Sequence, residues 1–496
     1  MGRPRGRGIR RIAVALGALA ICVASVQAAP SKERRPGAEH ETERPNVIVV
    51  LTDDQHMDSL RVMDRVSSEL AAEGATFANS FTNWPLCCPS RATLLTGQYA
   101  HNHGVLGNEL PTGGVTRLDD TNTLPVWLQG AGYHTVHIGK YLNGYGEDTS
   151  PTYVPPGWSE WYAAAVGTQR VYDYALNQNG SLVEYGTTPA DFKQDVFSDL
   201  AVDAIERSAP EGPFLLTVNY TAPHNGGPNP NPNPPFDCDD AAPKPAPRHA
   251  NAFDDEPLPQ PPSFDEADVS DKPGAIQALP AIDPVAFDDI QRRYRCRLEA
   301  LQSVDEGVGR IVDALRATGE LDDTLIVFTS DNGFFHGEHR VPIGKNRVYE
   351  EAIRVPLVIR GPGVPAGVTV DNLAINADLA ATILDATGAV PARTLDGRSL
   401  LPLARHPRQP FPRELLIEQH TYAAIRTSRF VYVENVSGER ELYDLETDPY
   451  QLQSRHDDPA YERLEGELAE RLTALRDCSG DSCRRKPAPL EPYLPR

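Results

Sequence analysis

The sequence predicts an α/β protein: a large, mostly parallel central sheet flanked by helices, followed by a small C-terminal subdomain built on an antiparallel sheet. Three observations carry this expectation. Continuous apolar runs such as Val47-Ile48-Val49-Val50-Leu51 recur along the chain, as strands buried on both faces require. Helical patterns fill the intervals between them. Beyond about residue 405 the segments become short and alternating, and a helical pattern returns only at Pro459.

The elements follow in order. Arg3, Arg5, Arg7, Arg10 and Arg11 precede an apolar run from Ile12 to Val26 and then Val26-Gln27-Ala28, the three zones of a secretory signal peptide over residues 1–28. The apolar run is shorter than the ~20 residues a membrane span needs, so no membrane anchor is expected and the protein is expected to be secreted. A charged linker occupies 29–45, and the main α/β domain is expected over 46–405. Within it, strands are predicted at Asn46–Leu51, His134–Ile138, Phe214–Asn219, Leu325–Thr329 and Pro356–Ile359. Helices are predicted at Asp120–Gln129, Phe192–Arg207, Cys296–Thr318 and Ala377–Thr387. Proline is dense between Pro223 and Pro284, which forbids a continuous helix or central strand and marks 224–290 as an insertion or rim loop. The C-terminal subdomain, 406–496, carries strand-like segments at Glu414–Glu418, Tyr422–Ile425, Phe430–Glu434 and Leu442–Leu445, then a helix from Pro459 to Arg476.

Composition narrows the function. Hydrophobic residues at 40% and charged residues at 23% exclude a polytopic membrane protein and a wholly disordered chain. A net charge of −22, becoming −27 once the five arginines of the signal peptide are removed, has the wrong sign for binding nucleic acid. Six cysteines remain after export: Cys478 and Cys483 suit one disulfide, and Cys238 with Cys296 would close off the Pro-rich excursion. The adjacent Cys87 and Cys88 are left over, and a vicinal disulfide is strained.

That pair opens the segment Cys87-Cys88-Pro89-Ser90-Arg91-Ala92-Thr93-Leu94-Leu95-Thr96-Gly97. Pro89 suits a first helical turn and Gly97 the C′ position, predicting a short helix over Ser90–Thr96 with Cys87 just before its positive end. A nucleophile there has its anion stabilised by unpaired N–H groups, and Arg91 adds a fixed cation. A capped helix with a buried cysteine explains Pro89 and Gly97 but neither Arg91 nor the free thiols. Asp53 and Asp54 follow the first strand, and Asp331-Asn332-Gly333 follows the strand Leu325–Thr329. One Asp pair after a strand is commonly a turn or cap, but two oxygen-rich ends in one sheet suit a hard cation, Ca2+ or Mg2+. Lys140, Lys345 and His224 are each ordinary alone. Lys140 and His224 nevertheless follow strand ends, where open α/β sheets bind ligands.

The Cys87–Gly97 segment resembles the signature of the type I sulfatases, whose first cysteine is converted to Cα-formylglycine by a formylglycine-generating enzyme. The resemblance runs from about Asn46 to Gly363 and implies the alkaline-phosphatase-like sulfatase fold. It implies an aldehyde hydrate at Cys87 as nucleophile, one hydroxyl attacking sulfur and expelling the alcohol, the second helping to eliminate sulfate. It implies Ca2+, with Mg2+ as the alternative, held by Asp53, Asp54, Asp331 and Asn332 together with residue 87. Lys140 and Lys345 would bind the sulfate and His224 would protonate the leaving oxygen, with Arg91 in the same catalytic group. Many members carry Gly-Lys-x-His; here Leu142 stands at the histidine position, and Lys140-Tyr141-Leu142-Asn143-Gly144-Tyr145 is similar to the branch containing N-acetylglucosamine-6-sulfatase. His103 and Asn143 are therefore candidates for the base acting on the hydrate, while His336 and His339 would line the pocket or support it. The expected substrate is a small sulfate monoester of a sugar, such as N-acetylglucosamine 6-sulfate, or of an aryl alcohol. A phosphate or phosphonate ester hydrolase of the same superfamily and a non-catalytic carbohydrate-binding relative are the alternatives. The charge of the mature chain opposes a polysulfated polymer as substrate.

Overall fold

The apolar run after Pro45 forms β1 (Asn46–Thr52), with every residue buried. The computed structural model describes residues 44–227, 238 and 241–490; the expected signal peptide and all but the end of the linker lie outside the described residues. After β1 come β2 (Ala75–Phe81), β3 (His134–Gly139), β4 (Glu160–Val166), β5 (Tyr174–Gln178), β6 (Ser181–Tyr185), β7 (Phe214–Asn219), β8 (Thr324–Ser330), β9 (Leu357–Arg360) and β10 (Val368–Ile375). They form one sheet in the order β10-β2-β9-β8-β1-β7-β3-β4-β5-β6. Its centre, β8-β1-β7-β3-β4, is parallel throughout, and antiparallel partners β9, β5 and β6 flank it.

Alternation along β1 explains the layers. Val47, Val49 and Leu51 pack beneath the helices Cys87–Thr96, Leu124–Gly130, Ala377–Thr387 and Leu401–Arg405. Ile48 and Val50 face the helices Lys193–Ser208 and Pro284–Thr318 on the other side. Each such side chain contributes roughly 1.5–3 kcal/mol relative to exposure, so both helical layers anchor the strand that carries Asp53 and Asp54.

The long helix differs from the sequence expectation. It begins at Pro284, not near Cys296, and runs for 35 residues. Asp283 caps it by accepting the Ala286 N–H at 2.8 Å, and Pro284 occupies the first turn, where its missing N–H costs nothing. The periodicity is faint over its first turns because Val285 is exposed and Asp288, Asp289, Arg292 and Arg293 supply charge. Among the described residues between 241 and 283 there is no strand and no helix longer than one turn. Both expected disulfides form, Cys238–Cys296 and Cys478–Cys483, and Cys87 and Cys88 are free thiols.

The C-terminal strands β11 (Leu415–Gln419), β12 (Tyr422–Arg426), β13 (Phe430–Asn435) and β14 (Arg440–Asp444) form an antiparallel meander in chain order. The helix Glu462–Arg476 buries Leu464, Leu468 and Leu472. These side chains share one cluster with Phe81, Tyr349, Ile353 and Ile375 of the larger sheet's side, so the two sheets are joined by a common apolar core. No described helix is long and apolar enough to cross a membrane.

Candidate active site

Strand register builds the site. Thr52 pairs with Ser330, so Asp53-Asp54 and Asp331-Asn332 leave β1 and β8 side by side. Gly139 pairs with Asn219, and the Lys140 N–H donates to the Asn219 carbonyl at 2.9 Å, so the lysine emerges next to the β7 end. The Asp53 N–H donates to the Ala222 carbonyl at 3.2 Å, which brings in the turn carrying His224. Parallel neighbours thus deliver four loops to one edge. Gly333 completes the Asp331-Asn332 turn for a steric reason: a Cβ there would lie 2.1 Å from the Glu351 carbonyl oxygen.

The helix beneath these turns starts at Cys87 itself, one turn earlier than the sequence suggested, and Gly97 ends it with φ of 66°. All ten of its residues are buried. Ser90 donates its hydroxyl to the Asp331 carbonyl and receives the Asn376 amide at 3.0 Å. Arg91 donates through Nε to Asp331 Oδ2 at 2.8 Å and through Nη1 to the Lys140 carbonyl at 2.9 Å, and its Nη2 lies 3.3 Å from Asp53 Oδ2. The guanidinium is therefore a brace across three loops. Cys87 Sγ lies 3.4 Å from Asp53 Oδ1 and accepts from Lys345 Nζ at 2.8 Å. Lys140 pairs with Asp53 and Lys345 with Asp54.

The electrostatics depart from the helix-end argument. Burial and the Asp53 carboxylate push the Cys87 thiol up to about 12, although Lys140 and Lys345 oppose them. Desolvation outweighs the N–H groups, so the thiol stays protonated. Burial also acts on the carboxylates with opposite outcomes. It raises Asp53, but Lys140, His224 and Arg91 overcome it and hold that group well below the usual range. Asp331, buried beside Asp53, is pushed up to about 6 despite Arg91 and Lys140.

The donor set fits a hard cation. Ligand atoms of Asp53, Asp54, Asp331 and Cys87 all lie within 4.8 Å of one another. Asn332 turns its Nδ2 to Asp54 Oδ1 at 2.7 Å and leaves its own Oδ1 buried without a partner. Rotating that amide by half a turn directs a neutral oxygen into the group of carboxylates, the chemistry Ca2+ or Mg2+ prefers.

Of the histidines, His224 joins the site: its Nδ1 donates to the Asn225 carbonyl at 3.1 Å and its Nε2 lies 3.7 Å from Asp54 Oδ2. Burial lowers its pKa despite the pull of Asp53 and Asp54. His103 commits both ring nitrogens elsewhere, to Thr93 Oγ1 at 3.0 Å and to the Val105 N–H at 3.1 Å. His339 bonds Glu266 at 2.7 Å and stacks on Tyr349, and His336 packs edge-on against His56. Sequence reasoning missed Arg297, which donates to the Asp54 carbonyl from the long helix and lies over the Phe334 ring at 3.8 Å. It fixes a turn in which Asp54 has φ of 68°, the left-handed region.

Comparison with known proteins places the chain among sulfatases. A family model described as sulfatase matches residues 45–389, and one for the C-terminal part of N-sulphoglucosamine sulphohydrolase matches 337–478. The chain is 32% identical to the N-acetylglucosamine-6-sulfatase of Homo sapiens over 89% of its own length and 86% of that protein. It is 36% identical to a putative extracellular sulfatase Sulf-1 homolog of Caenorhabditis elegans over 72% of its length, but spans only 49% of that relative. A solved structure of a protein in complex with its substrate D-glucosamine-2-N,6-O-disulfate superposes with a TM-score of 0.70 at 25% identity, covering 87% of this chain and 97% of the other.

Proposed function

The chain belongs to the sulfatase family and is a sulfuric ester hydrolase, and from that premise we propose that it is an exported enzyme cleaving small sulfate monoesters with Cys87 converted to Cα-formylglycine and Ca2+ held by Asp53, Asp54, Asp331 and Asn332. The observation that carries the reading is the convergence of three carboxylates and Cys87 Sγ within 4.8 Å, bordered by two lysines. The aldehyde supplies a hydrated nucleophile for sulfur and the cation a Lewis acid for a sulfate oxygen. Everything else comes from the chain. Lys345, bonded to Cys87 Sγ at 2.8 Å, sits where one sulfate oxygen beside residue 87 needs a cation, and Lys140 approaches from the β3 end. Arg91 keeps Asp53 and Asp331 in register across the helix, a positioning role. His224 has Nδ1–H fixed on the Asn225 carbonyl, so Nε2 is the nitrogen turned toward Asp54 and the reacting centre, and it delivers a proton to the leaving oxygen only from the doubly protonated imidazolium form. Export is supported by the basic and apolar N-terminal zones and by two disulfides, and maturation by a formylglycine-generating enzyme follows from the Cys87 motif.

The substrate class is a sugar sulfate such as N-acetylglucosamine 6-sulfate, or an aryl sulfate. Sulfate release from N-acetylglucosamine 6-sulfate and 4-nitrophenyl sulfate, by protein whose residue 87 is verified as aldehyde by mass spectrometry, tests the reading. Turnover of at least one is expected; turnover of neither, or strong preference for the matched phosphate esters, contradicts it.

Metal affinity should depend on pH. A protonated Asp331 does not ligate a hard cation, and in the metal-free site this group titrates at about 6. Ca2+ affinity is therefore expected to level off above pH 7 and to fall toward roughly tenfold per pH unit below 6. Calorimetry in buffers of different ionisation enthalpy should detect protons released on binding at pH 5 and close to none at pH 8. Affinity constant across that range would remove Asp331 from the ligand set.

A further inference from the structure

As a free thiol, Cys87 belongs to two overlapping ligand sets. One, with the carboxylates of Asp53, Asp54 and Asp331, is dominated by oxygen and suits a hard cation. In the other, an Asp53 carboxylate oxygen, Cys87 Sγ and a ring nitrogen of His224 all lie within 4.8 Å of one another. Oxygen, sulfur and imidazole nitrogen together are the donors of a borderline-soft cation such as Zn2+, whereas Ca2+ and Mg2+ take oxygen. We infer that the chain with an unconverted Cys87 binds Zn2+ through Cys87, His224 and Asp53, and that conversion of residue 87 to the aldehyde ends this binding and leaves the site to a hard cation. The inference rests on the sulfatase reading for the conversion step only; the Zn2+ site stands on the residues as the chain is synthesised.

His224 presents the right nitrogen. Its Nδ1 lies 3.1 Å from the Asn225 carbonyl, which only accepts, so Nδ1 carries the hydrogen and Nε2 keeps a lone pair. An imidazole held through one nitrogen by a backbone carbonyl, with the other nitrogen free, is the arrangement metal-bound histidines adopt. Nε2 lies 3.7 Å from Asp54 Oδ2, too far for a hydrogen bond. Cys87 Sγ already lies 3.4 Å from Asp53 Oδ1. Donors on a tetrahedral Zn2+ stand about 3.2–3.7 Å apart, so the sulfur–oxygen pair is in place and the imidazole closes by no more than about 1.5 Å.

Charge and competing contacts permit the ion. Asp53, Asp54 and Asp331 face Lys140, Lys345 and Arg91, three charges against three. Lys140 and Arg91 hold Asp53 through Oδ2, which leaves Oδ1 to the ion. Lys345 Nζ, 2.8 Å from Cys87 Sγ, yields the sulfur and keeps Asp54. As the Zn–S bond forms, the S–H bond breaks and its proton leaves to solvent, so the site gains one positive charge and no electron is transferred. No other described thiol competes. Cys88 faces the backbone of Asn143 and Gly114, and Cys238 and Cys296, which lie beside Glu299, are joined in a disulfide.

Co2+ serves as the probe, because a cobalt–thiolate bond gives a near-ultraviolet charge-transfer band that Zn2+ bleaches on displacing the cobalt. Unconverted full-length protein, made without the maturing enzyme, is expected to show the band, and Cys88→Ala to keep it. Cys87→Ser, which conserves size and removes the sulfur, is expected to lose it, as is the aldehyde-verified form. His224→Asn is expected to keep the band but to bind Zn2+ at least about a hundredfold more weakly in Co2+ displacement titrations, since losing an outer-shell partner alone costs up to that much. No band in the unconverted protein, a band that survives Cys87→Ser, or Zn2+ affinity unmoved by His224→Asn overturns the site. Zn2+ bound equally tightly by the unconverted and aldehyde forms overturns the claim that conversion ends it. Sulfate release by the aldehyde form decides the sulfatase reading separately. A thiolate band in the unconverted chain, with no turnover of any sulfate ester by the aldehyde form, supports the Zn2+ site and overturns that reading; turnover without a band does the reverse.

Discussion

Asp331→Asn is expected to abolish stoichiometric Ca2+ binding and to lower turnover by on the order of a thousandfold or more while leaving the fold intact. Both oxygens of the Asp331 carboxylate already hold neighbouring groups: Oδ1 accepts the Asp54 N–H at 3.0 Å and Oδ2 accepts Arg91 Nε at 2.8 Å. The asparagine keeps an acceptor for the Asp54 turn while removing the charge and setting its NH2 toward Arg91 Nε, and the guanidinium retains Asp53 and the Lys140 carbonyl. Asp331→Ala removes both, taking from the buried Arg91 guanidinium one of its two carboxylate partners at a cost of up to about 3–5 kcal/mol, so its inactivity alone would not separate metal loss from local collapse. The pair of variants does. Asp331→Asn that retains one tightly bound Ca2+ per chain, measured by metal analysis after gel filtration, would discredit the ligand assignment.

Cys87→Ala is expected to bring turnover to background, a loss on the order of a millionfold, as removal of a nucleophile that acts with its partners does. Wild-type protein made without the maturing enzyme should be equally inactive. With its thiol pushed up to about 12, Cys87 supplies almost no thiolate at neutral pH, so the unconverted side chain is no substitute. Specific activity across preparations should scale with the fraction of aldehyde in the tryptic peptide ending at Arg91. Activity in the alanine variant, or activity independent of that fraction, would remove residue 87 from the chemistry.

Much of this site was legible in the sequence because a parallel sheet writes its strands as apolar runs and its chemistry just after them. Asp53-Asp54, Asp331-Asn332, Lys140 and His224 each follow such a run, and the register of β1, β7, β8 and β3 brings them together. Cys87, Arg91 and Gly97 were legible through the spacing of one short helix. Other features left no such trace. Arg297 reaches the Asp54 carbonyl across 243 residues, and a contact to backbone has no sequence partner to betray it. β2 and β10 were missed because Asn79 and Ser80 in one, and Asp371 and Asn372 in the other, break the apolar runs. The helix-end argument for an acidic Cys87 failed because burial and the nearby carboxylates arise only in the folded chain. His103 was a reasonable base by proximity in sequence, but the fold commits both its nitrogens to Thr93 and Val105.

An anomalous difference map from crystals of aldehyde-verified protein grown with Ca2+ probes the shared-cation claim most directly. One peak is expected at about 2.3–2.6 Å from carboxylate oxygens of Asp53, Asp54 and Asp331 and from the Asn332 amide oxygen, with residue 87 alongside. A fully occupied ion elsewhere, with Lys140 still paired to Asp53 and Lys345 to Asp54, would contradict it.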